Sequence, residues 1–268
     1  MRGAAWIIHS TARHWQLLSH LVLRDLRESV AGNALGRLWL YVSPLMTIGI
    51  YIFIFAFVFK VKLGDTLNLP YDYTVYILSG LIPWLMTMEV MNRSCMAITG
   101  NSGVVKEVVF PIEILPVRTV FSVLANYAVF YVVFFVYILA TQHSLLWTHA
   151  LLPVILALQI IFLVGVALMF SAITAFFRDW ARLVNLSAML LVYAAPIVYV
   201  SDWVPELVRP VLYANPISYM VWCFQDALFY GELRHLFAWP VFTVVALLSF
   251  IIGSSLFQRL KPMFGNVL

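Results

Sequence analysis

Charge is what this sequence has least of. Its 268 residues include 16 lysines and arginines and 12 aspartates and glutamates, 10% of the chain, against about 25% in soluble proteins. With 63% hydrophobic residues, that scarcity excludes an ordinary soluble domain and leaves an all-α integral membrane protein. The length holds about six spans of 20 or so residues with their connections, and no second, soluble domain fits. Cysteine is nearly absent. Cys95 and Cys223 lie 128 positions apart in apolar context, which excludes a CxxC-type pair and leaves both as packing residues. The six histidines, at 9, 14, 20, 143, 149 and 235, form neither HExxH nor a zinc-type cluster with cysteine, so no metal site is expected. Neither GxSxG nor GxxxxGK[ST] occurs, so no catalytic residue and no nucleotide-cradling loop is expected on this chain. Any uphill work must draw its energy from another molecule. The first 37 residues carry only short apolar runs such as Trp6 to Ile8, so no cleavable signal peptide is expected and the first span directs insertion itself.

The positive features centre on residues 24 to 60. From Leu38 to Phe59 no Asp, Glu, Lys or Arg occurs, and as a helix these residues reach roughly 33 Å, enough for a hydrocarbon core of about 30 Å. Just before them, Arg24, Asp25, Arg27, Glu28 and Arg37 surround Gly32, Asn33 and Gly36, residues that favour a bend. Upstream, Trp15, Leu18, Val22 and Leu26 follow helical spacing between His14 and Val30, which predicts an interfacial helix. The same pattern suits a basic anchor on anionic lipid.

A second span starts near Tyr73 and stays uncharged until Glu89, roughly 24 Å further along a helix. Glu89 and Arg93 have the favourable i, i+4 order for a structural ion pair near the boundary, with a proton relay as the competing reading. Asn101 to Arg118 reads as a loop with short helical pieces, because Pro111 and Pro116 interrupt any long helix. Thr119 to Phe177 lacks Asp, Glu, Lys and Arg throughout and predicts two spans joined around Gln142 to His149. A fifth span is expected at about Leu183 to Val200 and a sixth at about Leu236 to Phe257. Between them, Ile217 to Tyr230 is apolar but too short to span as a helix. It predicts a re-entrant or interfacial segment capped by Asn215 and Pro216, with Trp203, Tyr213, Tyr219 and Trp222 at the membrane boundary; a sharply kinked extra span is the alternative.

Placing the N-terminus inside leaves Lys60, Lys62, Arg209 and Arg234 outside and Arg93 in a span, with the other 11 basic residues inside. That asymmetry predicts cytoplasmic termini. The resulting division is a cytoplasmic interface segment at 1–37, a six-helix membrane domain at 38–258 and a cytoplasmic tail at 259–268. Glu89 is the only acid in any predicted span, too little for typical ion coupling, while the charged inner loops offer surfaces to a cytoplasmic motor.

At this point the stretch RDLRESVAGNALGRLWLYVSPLMTIGIYIFIFAFVFK resembles the interface helix and first span of the ABC-2 permeases that export polysaccharides, the O-antigen, capsule and teichoic-acid group. Ser79 to Trp84 (SGLIPW), Asn101 to Pro116 with its FPIEILP, Phe177 to Asp179 (FRD) and Asn215 to Pro216 look like family signatures in the family's order. The resemblance implies a homodimer in the bacterial cytoplasmic (inner) membrane. Each subunit would dock on a separate ATPase that binds ATP and Mg, with no cofactor on this chain, and would export a lipid-linked polysaccharide on a polyprenyl diphosphate or phospholipid carrier. O-antigen export, and so lipopolysaccharide biosynthesis, is the expected role. It further implies ATPase coupling through Asp25, Glu28, Lys106, Glu107, Phe110 and Pro111, and a substrate entrance at Leu35 and Gly36. Arg37 departs from the apolar or small residue expected after that pair.

On physical grounds Arg24, Arg27 and Arg37 suit an anionic phosphate at the entrance, and equally suit charge balance and topology. Tyr51, Phe55 and Phe59 on the first span, and Tyr127, Tyr131 and Phe134 on the third, form aromatic stripes able to line a glycan channel; packing and lipid contact produce such stripes as well. An ABC-2 exporter of a drug or lipid, an ion-coupled secondary transporter and a membrane-embedded transferase are the alternatives.

Overall fold

A computed structural model of the protein describes residues 2–28, 36–54, 72–103, 110–142, 145–201 and 204–267, and no strand occurs among them. Where one interfacial helix is predicted, the chain forms two, α1 (Arg2–Arg13) and α2 (Trp15–Glu28), separated by a turn at His14 whose Nδ1 lies 2.9 Å from the Ser10 carbonyl. Ile7 and Leu18 point into the protein, whereas Ile8, Trp15 and Leu23 are exposed. A 3-10 turn (Gly36–Leu38) leads into α3 (Trp39–Ile52). The rest of the predicted first span lies largely outside the described residues.

The organising element of the bundle is α4 (Tyr73–Cys95), buried along nearly its whole length. It begins at Tyr73 because Asp72 caps it, Oδ1 accepting from the Val75 N–H at 3.0 Å. Packed around it are α5 (Ile114–Gln142), α6 (Leu152–Phe176, entered through a 3-10 turn at Trp147–Leu151) and α9 (Pro216–Gln225). The helix α10 (Ala238–Leu260) packs on α6. They cross so closely that a Cβ on Gly253 would meet the Gly165 carbonyl oxygen at 2.0 Å. Among the described residues, four stretches are long and apolar enough to cross a membrane: Tyr73–Cys95, Ile114–Thr141, Trp147–Phe176 and Ala238–Met263. Contrary to the expectation that Pro116 would delay the third span to Thr119, α5 starts at Ile114. Pro116 sits in its first turn, where a missing N–H leaves no helical bond unmade.

The predicted fifth span is corrected more deeply. Its helix, α7 (Trp180–Leu191), stops well before Val200, and the chain continues in turns. Backbone leaving a helix inside a bundle needs other partners for its carbonyls, and side chains from two other elements supply them. Tyr73 donates to the Val198 carbonyl at 2.5 Å, Tyr76 to Tyr199 at 3.0 Å, Asn215 to Ala194 at 3.0 Å and Gln225 to Pro196 at 2.7 Å. After α8 (Arg209–Ala214), Asn215 caps α9 through the Ile217 N–H at 3.0 Å, as its sequence predicts. A π-helical turn (Asp226–Tyr230) extends α9. The pair runs antiparallel to α4: Met220 lies beside Thr87, Val221 and Gln225 beside Gly80, and Phe229 beside Tyr76. Trp222, expected at the boundary, is instead in the core, its indole N–H donating to Ser201 at 2.8 Å. Trp203 lies outside the described residues. Cys95 and Cys223 are buried and unbonded to each other. A short α11 (Phe264–Val267) follows α10 and a 3-10 turn.

Candidate functional site

Polar chemistry concentrates where α1 and α2 meet the start of α5 and the end of α10. On α2, Leu18 is buried and Trp15 meets Phe121 of α5 edge to face, with ring centres 5.9 Å apart. Two turns further on, Asp25 faces α5. Its Oδ2 lies 3.0 Å from Arg118 Nε and accepts from the Ser122 hydroxyl at 2.9 Å. Expected as a residue offered to an ATPase, Asp25 is thus turned inward and engaged within the protein. Arg24 and Glu28 remain at the surface and pair with each other at 3.2 Å. Arg27 is exposed.

Beside them Glu89 and Arg93 form an ion pair of 2.6 Å at the end of α4. A cavity of about 370 Å³ opens between these elements, walled by Asp25, Glu28, Arg93, Asn101, Arg118 and Ser122 among others. Both charge signs line it. A second cavity, about 380 Å³, is lined by Thr99, Ser102, Thr174 and Arg178 together with Met96, so the FRD stretch from Phe177 to Asp179 joins the same end of the bundle.

Phe110 and Pro111 are half-buried, and the Pro111 carbonyl accepts from the Ile114 N–H at 2.9 Å, which carries their turn directly into α5. Between them and the helix stands Glu113, which no local pattern singled out. It is 3% exposed, accepts from the Ser10 hydroxyl at 2.5 Å and pairs with Lys261 at 2.8 Å. Lys106 and Glu107 lie outside the described residues, as does Leu35. Gly36 adopts φ 49°, a left-handed conformation that suits glycine. Arg37 is described only in its backbone, within the 3-10 turn.

The aromatic stripes are placed differently from one another. Phe55 and Phe59 lie outside the described residues, and Tyr51 is half-buried near the end of α3. Tyr127, Tyr131 and Phe134 are all core residues of the protomer. Tyr127 stacks on Phe130 with ring centres 4.6 Å apart, and Tyr131 stacks against Phe224 of α9 at 6.4 Å. Within one chain this stripe therefore packs α5 rather than facing an open path. The neighbouring face of α5 is the exposed one: Ala128, Val129, Val132 and Val133 form, with Tyr41 and Leu45 of α3, an apolar cavity of about 270 Å³.

Another acid escaped the sequence reading because it falls in a stretch predicted to lie outside the spans. Asp226 is fully buried. It accepts from the His235 backbone N–H at 3.0 Å, meets His235 Nδ1 at 2.8 Å and accepts from the Trp239 indole at 3.3 Å. Among the described residues no three His, Cys, Asp or Glu side chains are grouped to hold a metal.

The model of the ABC-2 type transporter family matches residues 16–229, from the interface helix α2 to the π turn after α9. This chain belongs to the ABC-2 type transporter family. Among relatives, an O-antigen export system permease protein RfbA of Klebsiella pneumoniae is 31% identical over 95% of both chains. Its counterpart in Myxococcus xanthus is 27% identical over 93% of this chain and 94% of its own. The polysialic acid transport protein KpsM of Escherichia coli is 23% identical over 89% of this chain and 91% of its own. The ABC-2 match takes in Asp25, Arg118 and Asp226 but stops short of Ser10, Lys261 and His235. Members of this family are membrane subunits of transporters, and several helices of this chain are apolar and long enough for a multi-pass protein.

Proposed function

We infer that this chain is the membrane subunit of an ATP-binding-cassette polysaccharide exporter. The carrying observation is that relatives named for O-antigen export and for polysialic acid transport align over nearly the whole chain. Distinct glycans on one shared framework point to polysaccharide as the substrate class, and O-antigen-type polymer is the reading nearest to the more similar relatives.

The finer architecture follows from parity. Contacts of Ser10 and Lys261 with Glu113, and of Asp25 with Arg118, group α1, α2, the start of α5 and the end of α10 at one end of the bundle. Between Glu113 and Lys261 run three long apolar helices, α5, α6 and α10, and an odd number of crossings would separate these two residues. Parity thus favours one further crossing within 180–237, made by α7 and the turns after it as a broken span, with α9 re-entrant. The same reasoning favours one crossing between α2 and α4, because Arg93 shares a cavity with Asp25 and Arg118. Six crossings result, with both termini on the side that the basic residues mark as cytoplasmic.

In this reading two copies form the pore and each docks on a separate ATPase subunit that binds ATP and Mg. The lipid-linked polysaccharide enters from the inner leaflet near Gly36, Arg24 and Arg27, whose exposed guanidinium groups attract a carrier phosphate. Asp226 gives an ion-coupled mechanism no support, since several donors already hold its carboxylate.

The deciding experiment expresses the chain with its cognate ATPase in cells that synthesise the glycan but lack an exporter. Surface polymer that depends on both subunits and on ATP hydrolysis is the expected result. Surface polymer without the ATPase, or intracellular retention despite an assembled, hydrolysing complex, would overturn it.

A further inference from the structure

We propose that Glu113 is a positioning residue that binds the segment Phe110–Pro111 to α1 and to the end of α10, so that movement of that segment shifts all three elements together. The proposal rests on the exporter reading, in which this end of the bundle faces the motor.

The geometry is specific. Glu113 is the last residue before α5, and each of its carboxylate oxygens has a different partner. Oε1 accepts from Ser10 Oγ of α1 at 2.5 Å, and Oε2 pairs with Lys261 Nζ just past α10 at 2.8 Å. The same Lys261 ammonium stands 4.7 Å from the centre of the Trp6 ring, so α1 is engaged twice, once through a hydroxyl and once through an aromatic face. The partners lie 103 and 148 positions from Glu113 in the chain. No other described carboxylate in this protein ties together three elements so distant in sequence.

Stability alone does not account for the arrangement. An ion pair with a buried carboxylate and a partly exposed ammonium need be no more stable than an apolar replacement of similar volume, because desolvation of the carboxylate offsets the attraction. What it adds is direction: a carboxylate whose two oxygens are held by donors from two different elements fixes the register of the elements that carry them. Five residues further along, Arg118 adds a second link by engaging Asp25 of α2 at 3.0 Å. The start of α5 is thus linked to α1, to α2 and to the end of α10, while Pro111 hands its turn to the same helix. A displacement of Phe110–Pro111 has a stiff route into the N-terminal helices and into the last span. Ser10 and Lys261 fall outside the region that the family model matches.

The test uses the full chain assembled with its ATPase in proteoliposomes or cells, with export and ATP hydrolysis both measured per assembled complex. Glu113→Gln keeps an oxygen for Ser10 and removes the charge that holds Lys261. If Glu113 couples the two ends, export falls by about tenfold while hydrolysis stays close to wild type, the size of a typical coupling free energy. Lys261→Met gives the same split, and the exchange Glu113→Lys with Lys261→Glu restores export. Unchanged export per complex in both single variants would overturn the proposal, as would a parallel fall of export and hydrolysis. A wild-type complex that hydrolyses ATP and exports no glycan would instead overturn the exporter reading itself.

Discussion

The two ends of this bundle solve the same problem with different chemistry. At the end that gathers α1, α2 and the start of α5, charged side chains hold elements together through Asp25–Arg118 and Glu113–Lys261. Around α7 and α9 the work is done mainly by neutral donors, Tyr73, Tyr76, Asn215 and Gln225, which satisfy carbonyls of a broken helix. Asp226 brings a fully buried carboxylate there, and it is enclosed by three donor groups. The difference follows from desolvation. Partly hydrated pairs can keep their charge near water, whereas irregular backbone in an apolar interior is better met by neutral hydrogen bonds.

Substitutions rank the two strategies. Asp226→Ala leaves the partly buried His235 and Trp239 donors without their acceptor and should cost about 1–3 kcal/mol for each donor left unmet, read as the fall in thermal stability of the detergent-solubilised protein. A small loss would mean that water replaces the carboxylate and that this end is wetter than its burial implies. Arg118→Met leaves Asp25 with only Ser122 and should cost about 1.5–3 kcal/mol, a deficit that persists as salt is raised because both side chains are largely buried. A deficit that vanishes in high salt would mean that this pair is open to water and holds the end of the bundle only weakly. Gly36→Val forces a β-branched residue into the left-handed region, a strain of about 1–2 kcal/mol, and in the assembled transporter should raise the ATP consumed per polymer exported. An unchanged ratio would mean that Gly36 is only a bend. Tyr76→Phe removes the donor to the Tyr199 carbonyl and should cost about 0.6–1.7 kcal/mol, as for other hydrogen bonds within membranes. Least affected should be Glu89→Gln, since its partner Arg93 is half exposed and surface pairs contribute about 0.2–1 kcal/mol. A larger loss there would place the end of α4 deeper than its exposure indicates.

How much was legible depended on the reach of each interaction. Tyr73 as the start of α4 and Asn215 as the cap of α9 were readable because a cap and its helix are neighbours in sequence. The Glu89–Arg93 pairing was readable for the same reason, being one turn apart. Asp25–Arg118 and Glu113–Lys261 left no periodic trace, since each joins elements from distant parts of the chain. Trp222 looked like a boundary residue because its chemistry is amphipathic, and only its bond to Ser201 shows why it can be buried. The stripe Tyr127, Tyr131 and Phe134 was visible as a stripe, but a helix face says nothing about whether it meets another helix, lipid or a pore.

Composition and hydropathy by themselves determined that this chain is a helical membrane protein and where its long apolar stretches lie. Those are sums over neighbouring residues, and a helix closes its own backbone hydrogen bonds wherever it runs. Tertiary structure decided which side chains take the carbonyls freed where α7 ends and which charges join. Leu191 to Val200 stays apolar and its Pro196 disfavours a continuing helix, but the break becomes stable in the interior only when Tyr73, Tyr76, Asn215 and Gln225 arrive from elsewhere to take up the carbonyls that the helix has released.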